Sequence, residues 1–142
     1  MYGLVLIGGL DKGQLGDLQV LQNRAAQIVT RSPPRAARDP MFDKLDWLSL
    51  NQLIAYHTLM QVFKIRNSGE PEYLSRILRN DNRNGRILIP NSDLSLAKRS
   101  FCFRGAQLWN TVPASIRNSP KIGVFKINTK KWVKNCVSKF PD

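Results

Sequence analysis

Trp47-Leu48-Ser49-Leu50-Asn51-Gln52-Leu53-Ile54-Ala55-Tyr56-His57-Thr58-Leu59-Met60-Gln61-Val62-Phe63-Lys64-Ile65-Arg66 is the stretch that decides the fold. Leu53, Tyr56, Leu59, Met60 and Phe63 recur at helical spacing and cover one broad face. His57, Gln61 and Lys64 form a polar ridge. The spacing predicts the longest helix of the chain, opening at Trp47-Leu48-Ser49 and running to about Arg66. Asn67-Ser68-Gly69 ends it, because glycine readily takes the backbone conformation that closes a helix.

Upstream, Leu18, Leu21, Ala25, Ile28 and Val29 predict a helix over 17–30, with Asp17 in its first turn and Ser32-Pro33-Pro34 as its stop. Residues 1–13 read as a strand or extended arm rich in glycine, the start of a chain that opens inside a larger fold. Residues 35–46 read as a connection with an apolar patch at Met41, Phe42 and Leu45, and Asp39 before Pro40 reads as a cap.

Downstream, Glu70-Pro71-Glu72 predicts a short helix start carrying Tyr73, Leu74, Ile77 and Leu78. Residues 80–85, ending in Asn84-Gly85, are turn chemistry. Residues 86–89 are β-prone, and 100–104 alternate, with Phe101 and Phe103 on one side; the two runs predict a small antiparallel pair. Residues 106–110 predict a short helix bearing Leu108 and Trp109. A last helix is predicted from Ser119-Pro120 to about Ser138, with Phe125, Thr129, Trp132 and Cys136 on one face and Lys126, Lys130 and Lys134 on the other.

The expected fold class is mainly α: four to six helices in a small orthogonal bundle, with a short antiparallel β pair near 86–89 and 100–104. With 142 residues the chain fits one domain or fragment. Its regions are 1–32 (a helix behind an orphan strand), 33–78 (helical) and 79–142 (a basic tail).

Charge is unevenly placed. Residues 1–75 carry 8 Lys and Arg against 7 Asp and Glu, whereas 76–142 carry 14 against 3. A positive field confined to one half favours a polyanionic partner, and RNA or DNA is the most abundant. The candidate phosphate-binding residues are Arg79, Arg83, Arg86, Lys98, Arg99, Arg104, Arg117, Lys126, Lys130 and Lys134. Trp109, Phe125 and Trp132 are expected in the core, which leaves affinity to the cations alone.

Signals for catalysis are missing. The one histidine, His57, and the two cysteines, Cys102 and Cys136, are too few for a structural zinc site. Asp39, Asp43 and Asp46 are the nearest thing to an acid cluster, and they read as structural. There is no phosphate loop, dinucleotide fingerprint or nucleophile elbow. No catalytic residue, metal or cofactor is expected. The longest apolar run, Leu4-Val5-Leu6-Ile7, is far short of the roughly 20 residues of a spanning helix. The expectation is an intracellular protein, cytoplasmic or nuclear, with reduced thiols and no membrane partner.

Four stretches in order, LQVLQNRAAQIVT (18–30), SGEPEYL (68–74), NRNGR (82–86) and KRSFCFRGAQLWNTVPASIR (98–117), together with the Phe125-Lys126 and Trp132 spacing, carry a family resemblance. The chain resembles the C-terminal part of the reverse-transcriptase polyprotein of jockey-type non-LTR (LINE-like) retrotransposons. The resemblance implies a region beyond the polymerase palm, with 18–30 at or just past the thumb. The palm aspartates are absent, since no Asp-Asp pair occurs anywhere in the chain. It therefore implies no enzyme in this chain by itself. The implied function is a non-catalytic remnant that holds RNA or DNA through its basic half. The alternative is a protein-protein interaction module that docks on the remainder of the polyprotein.

Overall fold

The structure is a computed structural model that describes residues 9–78, 80–81, 85–89 and 100–136, with residues 80 and 81 described by their backbone. Seven helices and one strand pair occur among the described residues: α1 (Lys12–Thr30), α2 (Arg38–Leu45), α3 (Leu50–Ser68), α4 (Glu72–Ile77), β1 (Asn80–Asp81), β2 (Arg86–Ile87), α5 (Phe101–Thr111), α6 (Ala114–Arg117) and α7 (Ile122–Asn135). The architecture is mainly helical, as the sequence predicts.

Helix α3 is the axis of the bundle. Ser49 caps it, and Gln52 reaches back to the Ser49 backbone in a reciprocal capping box. Gly69, at φ 73°, closes it in the left-handed region. Its buried residues run round most of the circumference, from Ile54 and Ala55 to Val62, Phe63 and Ile65, because α1, α5 and α7 all pack on it. Phe63 stacks on Phe125 of α7 with ring centroids 4.2 Å apart, and Trp109 of α5 lies 5.7 Å from Phe125. These three rings centre the main core. Gly105 lets α5 approach closely: a Cβ there would stand 3.0 Å from Val62 Cγ2.

Several boundaries differ from expectation. Helix α1 begins at Lys12, since Asp11 and Gln14 form a capping box; Asp17 is therefore a mid-helix residue. Residues 38–45 are helical, and Met41 and Phe42 pack with Ala26 in a second small core. Asp39 sits in the first turn of α2 and pairs with Arg38 at 3.0 Å; the cap position is Ala37. Helix α7 starts after Lys121, because Ser119 instead donates its hydroxyl to the Ile116 carbonyl at 2.6 Å. Helix α7 ends at Asn135 with Cys136 as its cap, short of the expected Ser138, and residues 12 and 13 of the expected N-terminal arm open α1, while residues 1–8 lie outside the described residues.

The β pair is corrected in its second member. Strand β2 pairs with β1, Asn80 opposite Ile87 and Asp81 opposite Arg86, while 100–104 is the start of α5. Ser100 caps that helix by accepting from the Phe103 N–H. Ala106 and Trp109 then face α3 at helical spacing, and their burial outweighs the short Phe101/Phe103 alternation. The other side of β2 is completed by a side chain. Asn110 Oδ1 accepts from the Ile87 N–H, and its Nδ2 donates to the Ile87 carbonyl, both at 2.8 Å.

Helix α1 turns its predicted face outward. Leu21 is 59% and Ile28 77% exposed, whereas Gln19 and Ala26 are buried. The inward polar groups have partners at the entrance to α3. Gln19 Oε1 accepts from the Leu50 N–H at 2.8 Å, and Gln22 Nε2 donates to the Leu48 carbonyl at 2.9 Å. The first N–H groups of any helix need acceptors from outside it, and the glutamines of α1 supply one.

Candidate functional site

The site forms where the C-terminal end of α3 meets β2, α5 and α6. Arg66, in the last turn of α3, lies over the Trp109 ring, its guanidinium carbon 4.7 Å from the centroid. Arg66 Nη1 and Trp109 Nε1 both donate to the Gly85 carbonyl at 2.9 Å. Gly85, at φ 71°, gives the turn before β2 a conformation that side chains disfavour. A Cβ there would stand 3.6 Å from Asn118 Oδ1 and 3.9 Å from Arg66 Nη2, so the α6 cap, Arg66 and the turn converge.

Arg117 ends α6 at the same corner and is only 8% exposed. Its Nε and Nη1 are shielded from solvent and have no hydrogen-bond partner. Burial, and then the nearby charge of Arg86, lowers its pKa; Arg66 is lowered by burial and then by Arg117. Arg117 therefore feels Arg86 on one side and Arg66 on the other, and among the described residues no carboxylate pairs with any of the three. An ionised group taken out of water needs a counter-charge or acceptors, and without them costs several kcal/mol.

Helix α7 presents a different picture. Phe125, Thr129 and Val133 are buried, and Trp132 is partly buried, so the apolar face matches the predicted one with Val133 added. Lys126 is exposed. Lys130 and Lys134 reach across to Asp46 at 2.7 and 3.1 Å, and Lys134 also meets Asp43 at 3.6 Å. Hydrogen bonds from Lys130 and Lys134 hold the Asp46 carboxyl below its ordinary pKa. Thus the acids read from sequence as a structural cluster clamp the basic helix to the end of α2. Lys126 and Lys130 also rim a cleft of about 470 Å³ floored by Trp47, Leu48, Leu53 and Tyr56.

The six predicted residues that are described are accordingly dispersed. Arg79, Arg83, Lys98 and Arg99 lie outside the described residues. Arg86 is exposed on β2, and Arg104 is half-buried in α5 with its pKa lowered by burial. Arg117 is a buried cation, because α6 is a single turn packed against α7. Lys130 and Lys134 are engaged by carboxylates, and Lys126 stands beside them. Arg66 was not legible as a site residue; its only sequence signal was a cation three residues after Phe63 at a helix end.

His57 is half-buried against Tyr56, ring centroids 5.1 Å apart, and burial, with Lys126 and Lys64 nearby, lowers its pKa. Burial raises the Cys102 thiol above its usual range, away from the thiolate a nucleophile needs. Among the described residues no three His, Cys, Asp or Glu side chains converge to hold a metal ion, and no helix is long and apolar enough to cross a membrane. No family model matches the chain, and no curated protein or solved structure matches it.

Proposed function

We propose that this chain is a non-catalytic nucleic-acid-binding segment of a retrotransposon-encoded RNA-directed DNA polymerase, gripping RNA or DNA phosphates with its basic C-terminal half. The observation that carries the reading is the corner of Arg66, Arg86 and Arg117, cations gathered without a described carboxylate partner. Exposed Lys121, Lys126 and Lys131 extend the positive surface along α7. The order of stretches that resemble the polyprotein tail supports the same origin.

Filter binding of single-stranded RNA and duplex DNA at two salt concentrations tests it. Four phosphate contacts give a log-log salt slope of about −2.8 on single strands and about −3.6 on duplex. Raising salt fourfold should weaken binding by roughly 50-fold on single strands and 150-fold on duplex. A change below about threefold refutes the reading.

One observation favours the docking alternative. Leu21, Ala25 and Ile28 make an outward stripe on α1, flanked by Val20 at 52% and Val29 at 60% exposure. An apolar face left in water suits a partner surface, here the remainder of the same polyprotein. Light scattering of the chain mixed with an upstream fragment tests this, with Leu21→Glu as the disrupting variant.

A further inference from the structure

We infer that Arg117, Arg86 and Arg66 form a built site for one phosphate-class oxyanion, a single backbone phosphate of the bound strand. Identification of that oxyanion with a backbone phosphate rests on the nucleic-acid reading above; the site itself does not.

Arg117 supplies the main argument. It is buried, yet two of its three nitrogens find no acceptor. Nη2 is not among those shielded, unpartnered atoms, so the guanidinium meets solvent at Nη2 alone. A charged N–H there can donate to one oxygen of an oxyanion, and charge-assisted bonds of this kind are the strong ones. The groups around it add charge of the same sign. Arg86 is exposed beside it, and Arg66 is fixed by the Gly85 carbonyl and the Trp109 face. Like charges held out of water cost free energy that a bound oxyanion would offset. Rigidity matters too: Arg66 is held at two points, and Arg117 is held by burial, so little side-chain freedom is lost on binding.

The first arm is a thermal melt of the full chain in chloride and in inorganic phosphate at matched ionic strength. The wild type should gain about 4 °C at ten times the dissociation constant. Arg117→Met, which keeps volume and removes the charge, should melt no lower in chloride and lose the phosphate increment. Arg86→Gln, on an exposed strand residue, should lose much of it and serves if Arg117→Met does not fold. Phosphate strengthens folding of any protein by exclusion, so the readout is the difference between variants.

The second arm measures single-stranded oligonucleotide binding against salt. Each variant should flatten the slope by about 0.7. Equal phosphate increments in wild type and both variants overturn the site. No increment in the wild type, with oligonucleotide slopes unchanged in both variants, overturns the site and leaves the nucleic-acid reading standing. An increment lost in the variants with no oligonucleotide binding in any protein upholds the oxyanion site and ends the nucleic-acid reading.

Discussion

Phe125→Ala is the perturbation that asks whether the basic helix belongs to the folded core. Phe125 is 0% exposed and lies between Phe63 and Trp109, stacked on the first at an interplanar angle of 15°. A buried phenylalanine hides of the order of 200 Å². Truncation to alanine forfeits roughly 130 Å² of that, or about 3 kcal/mol at ~25 cal/mol per Å². The lost ring pairs add about 1 kcal/mol. The total, about 4 kcal/mol, falls within the usual range for Phe→Ala in a core. For a domain of this size it lowers Tm by roughly 10–15 °C. The assay is a reversible thermal melt followed by circular dichroism at 222 nm, on the full chain, with Lys126→Ala as the exposed control on the same helix. Phe125→Leu keeps most of the volume and should fall by about 1–1.5 kcal/mol, so the comparison survives if the alanine variant does not fold. A cooperative melt in which Phe125→Ala loses less than about 3 °C refutes the reasoning, because α7 would then not be docked on α3.

Gly105→Leu drives a side chain into Val62 and Thr58, and the overpacking should cost about 1–3 kcal/mol, read as a fall in the urea midpoint at constant slope. Ser49→Ala removes the cap of α3 and should cost about 1 kcal/mol in the same titration. Asp46→Asn releases Lys130 and Lys134 and should steepen the salt slope of single-strand binding by up to about 1.4. Asp46 has a folded pKa below its unfolded value, so its pairing stabilises the fold above the ordinary carboxylate range and is lost as pH falls through the lowered value. The acid limb of the Tm-against-pH curve, below about pH 4, should therefore be flatter in Asp46→Asn.

Elements with long periodic patterns were legible. Helix α3 was readable from Leu53 to Phe63, and its glycine stop from Gly69. The apolar face of α7 was readable from Phe125 and Thr129. Short elements were not, because their outcome is set by distant partners. Residues 100–104 alternate like a strand, but Ala106 and Trp109 had a place against α3 and Ser100 could cap the turn before them. Residues 38–45 carry Pro40 and three apolar residues, and they become helical by packing on Ala26. The face of α1 was misread for a related reason. Periodicity locates the apolar stripe of a helix, yet the stripe that turns inward also depends on what the neighbour lacks, here an acceptor for Leu50.

The candidate site obeyed the same logic. Charge counting located where most cations lie along the chain and could not tell which of them are spoken for. Lys130 and Lys134 are neutralised by Asp43 and Asp46, acids from 84 to 91 positions away, a pairing no local pattern announces. Arg66 belongs to the half with nearly balanced charge, and it joins the cluster because α3 runs the length of the bundle. That length also bears on the two functional readings. Helix α1 meets α3 at Leu48 and Leu50, while the guanidinium corner lies at Arg66, sixteen residues on, roughly 24 Å at 1.5 Å per residue. An apolar stripe near one end and a guanidinium corner at the other do not compete for the same surface. In a longer polypeptide, α1 could be buried against a neighbouring domain while Arg86 and Arg117 still faced a nucleic-acid strand. The two proposed roles then use opposite ends of α3, and a charge placed on the stripe should disturb docking without touching nucleic-acid binding.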